Sequence, residues 1–137
     1  MSGDTLAAAA ERLVGTPFRL HGRDPATGLD CIGVLCAAMS EIGRPVVLPN
    51  GYRLRSNRID GLAGLARACG FTHADTPTLP GDVMMVRCAP CQFHLLIAVA
   101  EECFVHAHAR LKRVVLGNGE FDWPVIGHWR LDDASQG

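Results

Sequence analysis

The spacing of apolar residues changes midway along the chain. In the first half they recur every three or four positions, which predicts helices over residues 4–14, 31–42 and 60–69, each ended by a glycine. In the second half, short runs of Val, Ile, Leu, Met and Phe predict an antiparallel meander, with strands at residues 82–88, 93–100, 103–109, 112–116 and 125–131. Helices followed by strands predict an α+β fold, in which the N-terminal helices pack on one face of a C-terminal antiparallel β-sheet.

Length and charge narrow the class of protein. A chain of 137 residues with a net charge of −1 is expected to form one domain, residues 1–137, without needing a metal, cofactor or disulfide to fold. The local basic cluster of Arg53, Arg55 and Arg58 is too small to predict a nucleic-acid partner. No apolar run approaches the roughly 18 residues of a membrane span, and the start does not look like a signal peptide. We therefore expect synthesis in the cytoplasm.

Six cysteines lie at irregular positions within apolar runs, which indicates reduced thiols rather than a disulfide framework. Three of them are expected to fill the core: Cys36, Cys69 and Cys103. Cys88 and Cys91 form a C-x-x-C pair, which is the spacing of zinc sites and redox motifs. Because the chain has no second such pair and no helix opens after this one, we favour a tight turn between strands and predict no metal.

Cys31 is the candidate nucleophile. Asp30 is a good N-cap, and the apolar positions that follow at helical spacing place the cysteine in the first turn of a buried helix. Free amides and the positive end of the helix dipole at that place favour the thiolate, the species that attacks carbonyl carbon. The alternative is a small buried hydrophobe, a common role of a free cysteine.

His94 is the candidate base, because it is the one polar residue in the apolar run 93–97, where an imidazole facing the core needs a hydrogen bond. The next strand offers His106 and His108, both on one face, to orient the His94 ring. An odd loop or a bulge between the strands sets either His106 directly opposite His94, or His108 there with His106 as the diagonal neighbour. The residues themselves leave both arrangements open.

The remaining histidines have less specific interpretations. His21 lies in the loop before Cys31, where it either lines a cleft or is solvated. His73 and His128 are expected to be structural. Asp82 follows Pro80-Gly81 and is expected to bond the turn at which the sheet begins.

Five short motifs follow one another along residues 13–108. They are Gly15-Thr16-Pro17-Phe18-Arg19, Gly28-Leu29-Asp30-Cys31-Ile32-Gly33, Pro80-Gly81-Asp82-Val83, Phe93-His94-Leu95-Leu96-Ile97-Ala98-Val99 and Phe104-Val105-His106-Ala107. In this order and at this spacing they resemble the NlpC family of papain-like peptidoglycan cysteine peptidases. The resemblance implies the papain-like NlpC fold, with Cys31 as nucleophile, His94 as base and His106 as the orienting residue. It therefore selects the register that sets His106 opposite His94.

The resemblance also implies a substrate and the residues that border it. The implied reaction is cleavage of the γ-D-glutamyl to diaminopimelate amide, or a nearby bond, in the peptide stem of bacterial peptidoglycan. The residues predicted to border the substrate are Phe18, His21, Asp30, Ile32 and His108. Three of these depart from the family pattern, since relatives commonly have tyrosine, glycine and serine where this chain has Phe18, His21 and Ile32.

The run Arg-Asp-Pro-Ala-Thr-Gly at residues 23–28 is similar to phage and gene-transfer-agent peptidases. That likeness implies tail proteins as partners and a virion or tail particle as the location, with action in the periplasm. One alternative is a non-catalytic module of the same fold that assembles tails or binds cell wall. Another is an amidase or acyltransferase that uses the same Cys–His pair.

Overall fold

The structure is a computed structural model that describes residues 2–20, 22–46, 66–75, 77–89, 92–100, 102–108, 110–118 and 124–131. Helix α1 spans Ser2–Glu11 and buries Leu6, Ala9 and Ala10 completely. The chain leaves the helix through a turn that closes at Gly15, whose φ is +96°. The predicted first helix is therefore confirmed, with its ends displaced by a few residues.

Helix α2 spans Cys31–Glu41 and ends at Ile42, followed by Gly43 with a φ of +81°. It lies where the apolar spacing predicts it. Of the third predicted helix, residues 66–68 are helical, while its predicted start lies outside the described residues. Within the described ranges, no helix is long and apolar enough to cross a membrane.

The strands belong to two sheets. A two-stranded hairpin of β1 (Arg23–Asp24) and β2 (Gly28–Leu29) stands in the loop before α2. The larger sheet comprises β3 (Phe71–His73), β4 (Val83–Ala89), β5 (Gln92–Ala100), β6 (Cys103–His108), β7 (Arg113–Asn118) and β8 (Val125–Leu131). Strands β4 to β8 lie close to their predicted positions. The apolar pattern does not predict β1, β2 and β3, because a run of two or three residues shows no periodicity.

The order of strands in the larger sheet is β3-β8-β4-β5-β6-β7, with antiparallel neighbours. Strands β4 to β7 form the predicted meander, but β8 returns to pair with β4 instead of β7. The outer edge of β7 is covered by an earlier segment, since Gly15 N donates to Val114 O and Val114 N donates to Thr16 O, both at 2.8 Å. A simple meander of all the predicted strands is therefore wrong.

The central strands are covered on both faces. Alternate residues, such as Met85, Leu95 and Val105, share the main core with α1 and α2. The intervening residues, Val86, Leu96, Ala98 and Phe104, form a second buried cluster. Packing on both faces explains why these strands are almost continuously apolar in sequence. The predicted packing of the helices on one face of the sheet is confirmed.

Candidate active site

The first turn of α2 holds Cys31. Asp30 caps the helix in an extended conformation, and its Oδ1 accepts the backbone N–H of Gly33 at 2.8 Å. Gly33 lies so close to the preceding loop that a β-carbon there would stand 2.1 Å from Gly22 O. The cap and this close backbone approach together fix the start of the helix, and with it the position of the cysteine.

The Cys31 sulfur lies against strand β5. Backbone hydrogen bonds from Leu95 and Ile32 lower the pKa of the thiol, but desolvation is the largest influence and raises it to about 12. In the substrate-free protein this direction favours the neutral thiol of Cys31 over its thiolate. The helix amides that are predicted to favour the thiolate are therefore opposed by the loss of hydration around this half-buried sulfur.

The histidine strands meet beside this sulfur. His94 lies on β5 immediately before Leu95, and its Nε2 lies 3.3 Å from Nδ1 of His106 on β6. The two rings are nearly perpendicular, with centroids 5.4 Å apart. The structure thus pairs His94 with His106, and it places the Cys31 sulfur against the backbone of Leu95, the residue that follows His94.

The pairing of β5 with β6 differs from the predicted register. Ile97 pairs with Val105, and the register shifts between Ala98 and Ala100, which is the bulge that the sequence requires. Continued toward the site, this register sets His108 opposite His94 and makes His106 the diagonal neighbour. The observed pairing of Ile97 with Val105 is thus not part of the predicted register, which sets His106 directly opposite His94. The hydrogen bond still forms with His106, because diagonal neighbours on one face remain within reach of long side chains.

The surroundings of both imidazoles, half-buried His94 and buried His106, favour the neutral form. Desolvation, followed by the neighbouring charges of His106 and His108, lowers the pKa of His94 to about 4. Desolvation and His108 lower the pKa of His106 to about 4 as well. His108 itself is half-buried, its Nδ1 accepts the N–H of Leu111 at 3.1 Å, and its ring centroid lies 5.7 Å from that of His106. His108 therefore adjoins the pair.

The residues predicted to border a substrate have different surroundings. Phe18 is half-buried against the main core, and its N–H donates to Lys112 O at 2.9 Å. Asp30 is occupied as the N-cap. Ile32 is only 4% exposed and packs in the main core, so its predicted place beside a substrate stays a prediction. His21 lies outside the described residues, as do Cys91 and the side chain of Cys88 in the C-x-x-C pair.

Arg23 is a residue of this site that the sequence prediction misses. Its Nη1 donates to Asp30 Oδ1 at 2.7 Å, next to the candidate nucleophile. The available signal is the run at residues 23–28, which brings the chain back on itself as the β1–β2 hairpin. From the sequence alone, that run indicates only a likeness to phage and gene-transfer-agent peptidases.

The sequence matches no protein-family model and no curated protein. The fold does match solved structures of NlpC/P60 proteins. NlpC1 from Trichomonas vaginalis has a TM-score of 0.72 at 20% identity, covering 94% of this chain and 44% of that one. NlpC2 from the same organism has a TM-score of 0.71 at 18% identity, covering 93% and 46%. The NlpC/p60 domain of the peptidoglycan hydrolase SagA has a TM-score of 0.65 at 21% identity, covering 91% and 97%.

These likenesses define the class of fold. The chain has the α+β, papain-like fold of NlpC/P60 domains, as the motifs predict. It spans less than half the length of the two Trichomonas vaginalis chains and nearly all of the SagA domain. Because the identities are low, the likeness establishes the fold, and the activity has to be argued from the site.

Proposed function

We propose that this chain is a cysteine peptidase that cleaves an amide bond in the peptide stem of bacterial peptidoglycan. The supporting observation is the pair of His94 and His106, joined at 3.3 Å, next along β5 to Leu95, whose backbone bonds Cys31. The fold adds support, because the SagA domain that shares it comes from a peptidoglycan hydrolase. A thiol, an imidazole and a second group that orients the imidazole are the parts that nucleophilic acyl transfer requires.

The two nitrogens of His94 have different tasks in this mechanism. Nε2 faces His106 Nδ1, so a proton on Nε2 is donated to His106 and leaves Nδ1 as the basic nitrogen. Nδ1 then accepts the proton of the Cys31 thiol. Since the thiol and the imidazole both rest neutral, this transfer accompanies attack of the sulfur on the substrate carbonyl carbon. His106 orients the ring and stabilises the imidazolium that forms.

Attack forms a carbon–sulfur bond and moves the carbonyl electron pair onto oxygen. We assign the backbone N–H of Cys31, at the positive end of α2, as a donor to that oxyanion, an effect worth about 3 kcal/mol per donor. Collapse of the intermediate breaks the carbon–nitrogen bond, and the leaving amine takes the proton from His94. Water then gives a proton to His94 as it attacks the thioester. The carbon–sulfur bond breaks, and the leaving sulfur takes that proton back from His94, which regenerates the thiol and the neutral imidazole.

The finer proposal names the bond and the route of delivery. We infer cleavage of the γ-D-glutamyl to diaminopimelate amide, on the strength of the motifs around Cys31, His94 and His106. We also infer that phage-type or gene-transfer-agent tail proteins deliver the chain from the cytoplasm to the periplasm. The run at residues 23–28 supports that inference. Co-purification of the chain with tail particles tests the delivery, and its absence from purified particles would contradict it.

Mass spectrometry of soluble muropeptides tests the peptidase assignment. Tri-, tetra- and pentapeptide stems are incubated with the wild type, with Cys31→Ala and with Cys36→Ala, a matched control that removes a half-buried thiol from the same helix. We expect one product from the wild type and Cys36→Ala and none from Cys31→Ala. The product mass identifies the bond and shows whether water is the acceptor. No cleavage by any variant would favour the non-catalytic tail-assembly or wall-binding module.

A further inference from the structure

The β1–β2 hairpin holds Arg23 beside the helix that begins at Cys31. Arg23 pairs with Leu29, and Asp24 closes the tip by accepting Ala26 N on Oδ1 at 2.9 Å and Thr27 N on its carbonyl at 3.0 Å. Leu29 directly precedes Asp30. The hairpin therefore returns the chain to the N-cap with Arg23 alongside, and the position of this arginine is set by backbone pairing.

The guanidinium of Arg23 binds the N-cap directly. Its Nη1 donates to Asp30 Oδ1 at 2.7 Å and to Gly22 O at 2.9 Å. The same Oδ1 accepts Gly33 N at 2.8 Å, so one carboxylate oxygen joins the hairpin to the first turn of α2. The Asp30 side chain is 11% exposed and the Arg23 side chain 38% exposed, which makes this a partly shielded ion pair.

The N-cap creates an electrostatic difficulty for a nucleophile. A carboxylate is a strong cap, but its negative charge adjoins Cys31 and opposes formation of a thiolate. Asp30 contributes to the raised pKa of the Cys31 thiol, and the positive charge of Arg23 acts in the opposite direction. The ion pair with Arg23 thus leaves Asp30 in place as the N-cap of α2. At the same time it reduces the repulsion between the Asp30 carboxylate and negative charge on the Cys31 sulfur.

We propose that Arg23 is a positioning residue for the nucleophile: it holds the Asp30 carboxylate as the N-cap of α2 while offsetting that carboxylate's repulsion of negative charge on the Cys31 sulfur. The proposal rests on the proposed function only in taking Cys31 as the nucleophile. Arg23 acts through Asp30 and needs no contact with the substrate.

The test is the pH dependence of alkylation of Cys31 by iodoacetamide, a neutral reagent, measured by mass spectrometry of the Cys31 peptide from pH 7.5 to pH 9.5. The variants are Arg23→Gln, which removes the charge, and Arg23→Lys, which keeps it. Arg12→Gln is the matched control, because Arg12 forms an ion pair with Glu41 at the other end of α2. Cys69 is the internal reference, since its raised pKa comes from desolvation alone.

We expect Arg23→Gln to slow alkylation of Cys31 about threefold at each pH. Below the pKa of the thiol, the thiolate fraction changes tenfold per pH unit, so this loss displaces the rate profile by about half a pH unit. Arg23→Lys should recover most of that loss, and Arg12→Gln should leave the profile unchanged. The rate at Cys69 should stay the same in every variant. Each rate is measured at a temperature where urea and thermal unfolding show the variant to be folded.

Two outcomes would overturn the proposal. One is an unchanged Cys31 profile in Arg23→Gln, which would leave Arg23 a purely structural residue. The other is an equal change at Cys69 or in Arg12→Gln, which would point to general loosening of the fold. The assay uses no wall peptide, so failure of the proposed peptidase activity in the muropeptide experiment would be seen separately from failure of this inference.

Discussion

Two histidine clusters on the same sheet differ in what the imidazole meets. In the cluster proposed to be catalytic, called the catalytic cluster below, His94 Nε2 faces His106 Nδ1 at 3.3 Å across β5 and β6. In the structural cluster, His128 Nε2 on β8 donates to the carboxylate of Asp82 at 2.6 Å, at the entry to β4. Arg130 donates to both oxygens of that carboxylate, at 2.9 Å each. One cluster joins two imidazoles, and the other surrounds a buried anion with donors.

The structural cluster ties the last strand to the turn that starts the sheet. Asp82 is fully buried and also accepts Leu79 N at 2.9 Å, as its place after Pro80-Gly81 predicts. Burial disfavours the ionised carboxylate, but hydrogen bonds from Arg130, Leu79 and His128 outweigh it and hold the pKa of Asp82 below its usual range. Arg130 also donates to Pro77 O, which adds a link to the same turn.

The comparison shows that the partner decides what a histidine does. An imidazole bound to a carboxylate that is itself held by a guanidinium is fixed as part of a network, and its contribution is to stability. An imidazole bound to another imidazole, with a thiol nearby and its pKa lowered by desolvation, remains neutral and able to accept a proton. Mutations in the catalytic cluster should therefore lower turnover with little change in stability, and mutations in the structural cluster should lower stability with little change in turnover.

The largest effect is expected when the reactive groups of the catalytic cluster are removed. Cys31→Ala should abolish turnover of wall peptide, and His94→Gln should lower it by about 10² to 10⁴-fold, the usual contribution of a general base. The melting temperature of Cys31→Ala should stay within a few degrees of the wild type, because little volume is lost. Turnover by Cys31→Ala above the blank, or its failure to fold, would contradict the separation of the two clusters.

The structural cluster should respond in the opposite way. Asp82→Asn removes a buried charge and replaces one of the two acceptor oxygens with an NH2 group that faces other donors, so we expect a loss of about 2 to 4 kcal/mol in the free energy of unfolding. Urea denaturation measures that loss, and turnover per folded molecule should remain near the wild-type value. The control is His73→Ala, an exposed histidine on β3, which should change the free energy of unfolding by less than about 0.5 kcal/mol. Equal losses in the two variants would show that Asp82 is not a structural centre.

A smaller effect separates the two histidines of β6. His106→Ala should lower kcat by roughly 30-fold, since it removes the group bonded to His94, while His108→Ala should cost less than about threefold. Steady-state kinetics on the same muropeptide gives both values. The reverse ranking would mean that His108 is the partner of His94 in catalysis. That is the arrangement expected if the pairing of Ile97 with Val105 continues along the strands to His94.

The smallest effect is a pH dependence of stability that belongs to the catalytic cluster. The pKa values of His94 and His106 are lowered to about 4 from 6.5, so the unfolded chain binds more protons than the folded protein between those values. Stability contributed by the neutral rings is therefore complete above pH 6.5 and is lost as the pH falls toward 4. We expect the double variant His94→Gln/His106→Gln to show a shallower fall of melting temperature over this window. An identical slope in both proteins would contradict the lowered pKa values.

Several features of the fold and site follow from short stretches of sequence. Asp30 caps α2 because its carboxylate reaches an amide three residues on, and that contact depends on nothing outside the turn. The strands from β4 to β8 are recognisable because runs of branched and apolar residues lie between turn residues. The pairing of β8 with β4 is harder to predict from the sequence. It depends on contacts of Asp82 with His128 and Arg130, which lie 46 and 48 positions further along the chain.

The sequence by itself determined helices α1 and α2, strands β4 to β8 and their order along the chain, because capping and periodicity are local properties. Only the tertiary structure decided the register of β5 against β6, since the bulge between Ala98 and Ala100 changes cross-strand neighbours without changing local propensity. It also decided that desolvation raises the pKa of the Cys31 thiol and that Arg23 binds the N-cap of α2. The protonation state of a side chain depends on its burial and on the charges that folding brings close to it. The order of residues in the sequence specifies neither.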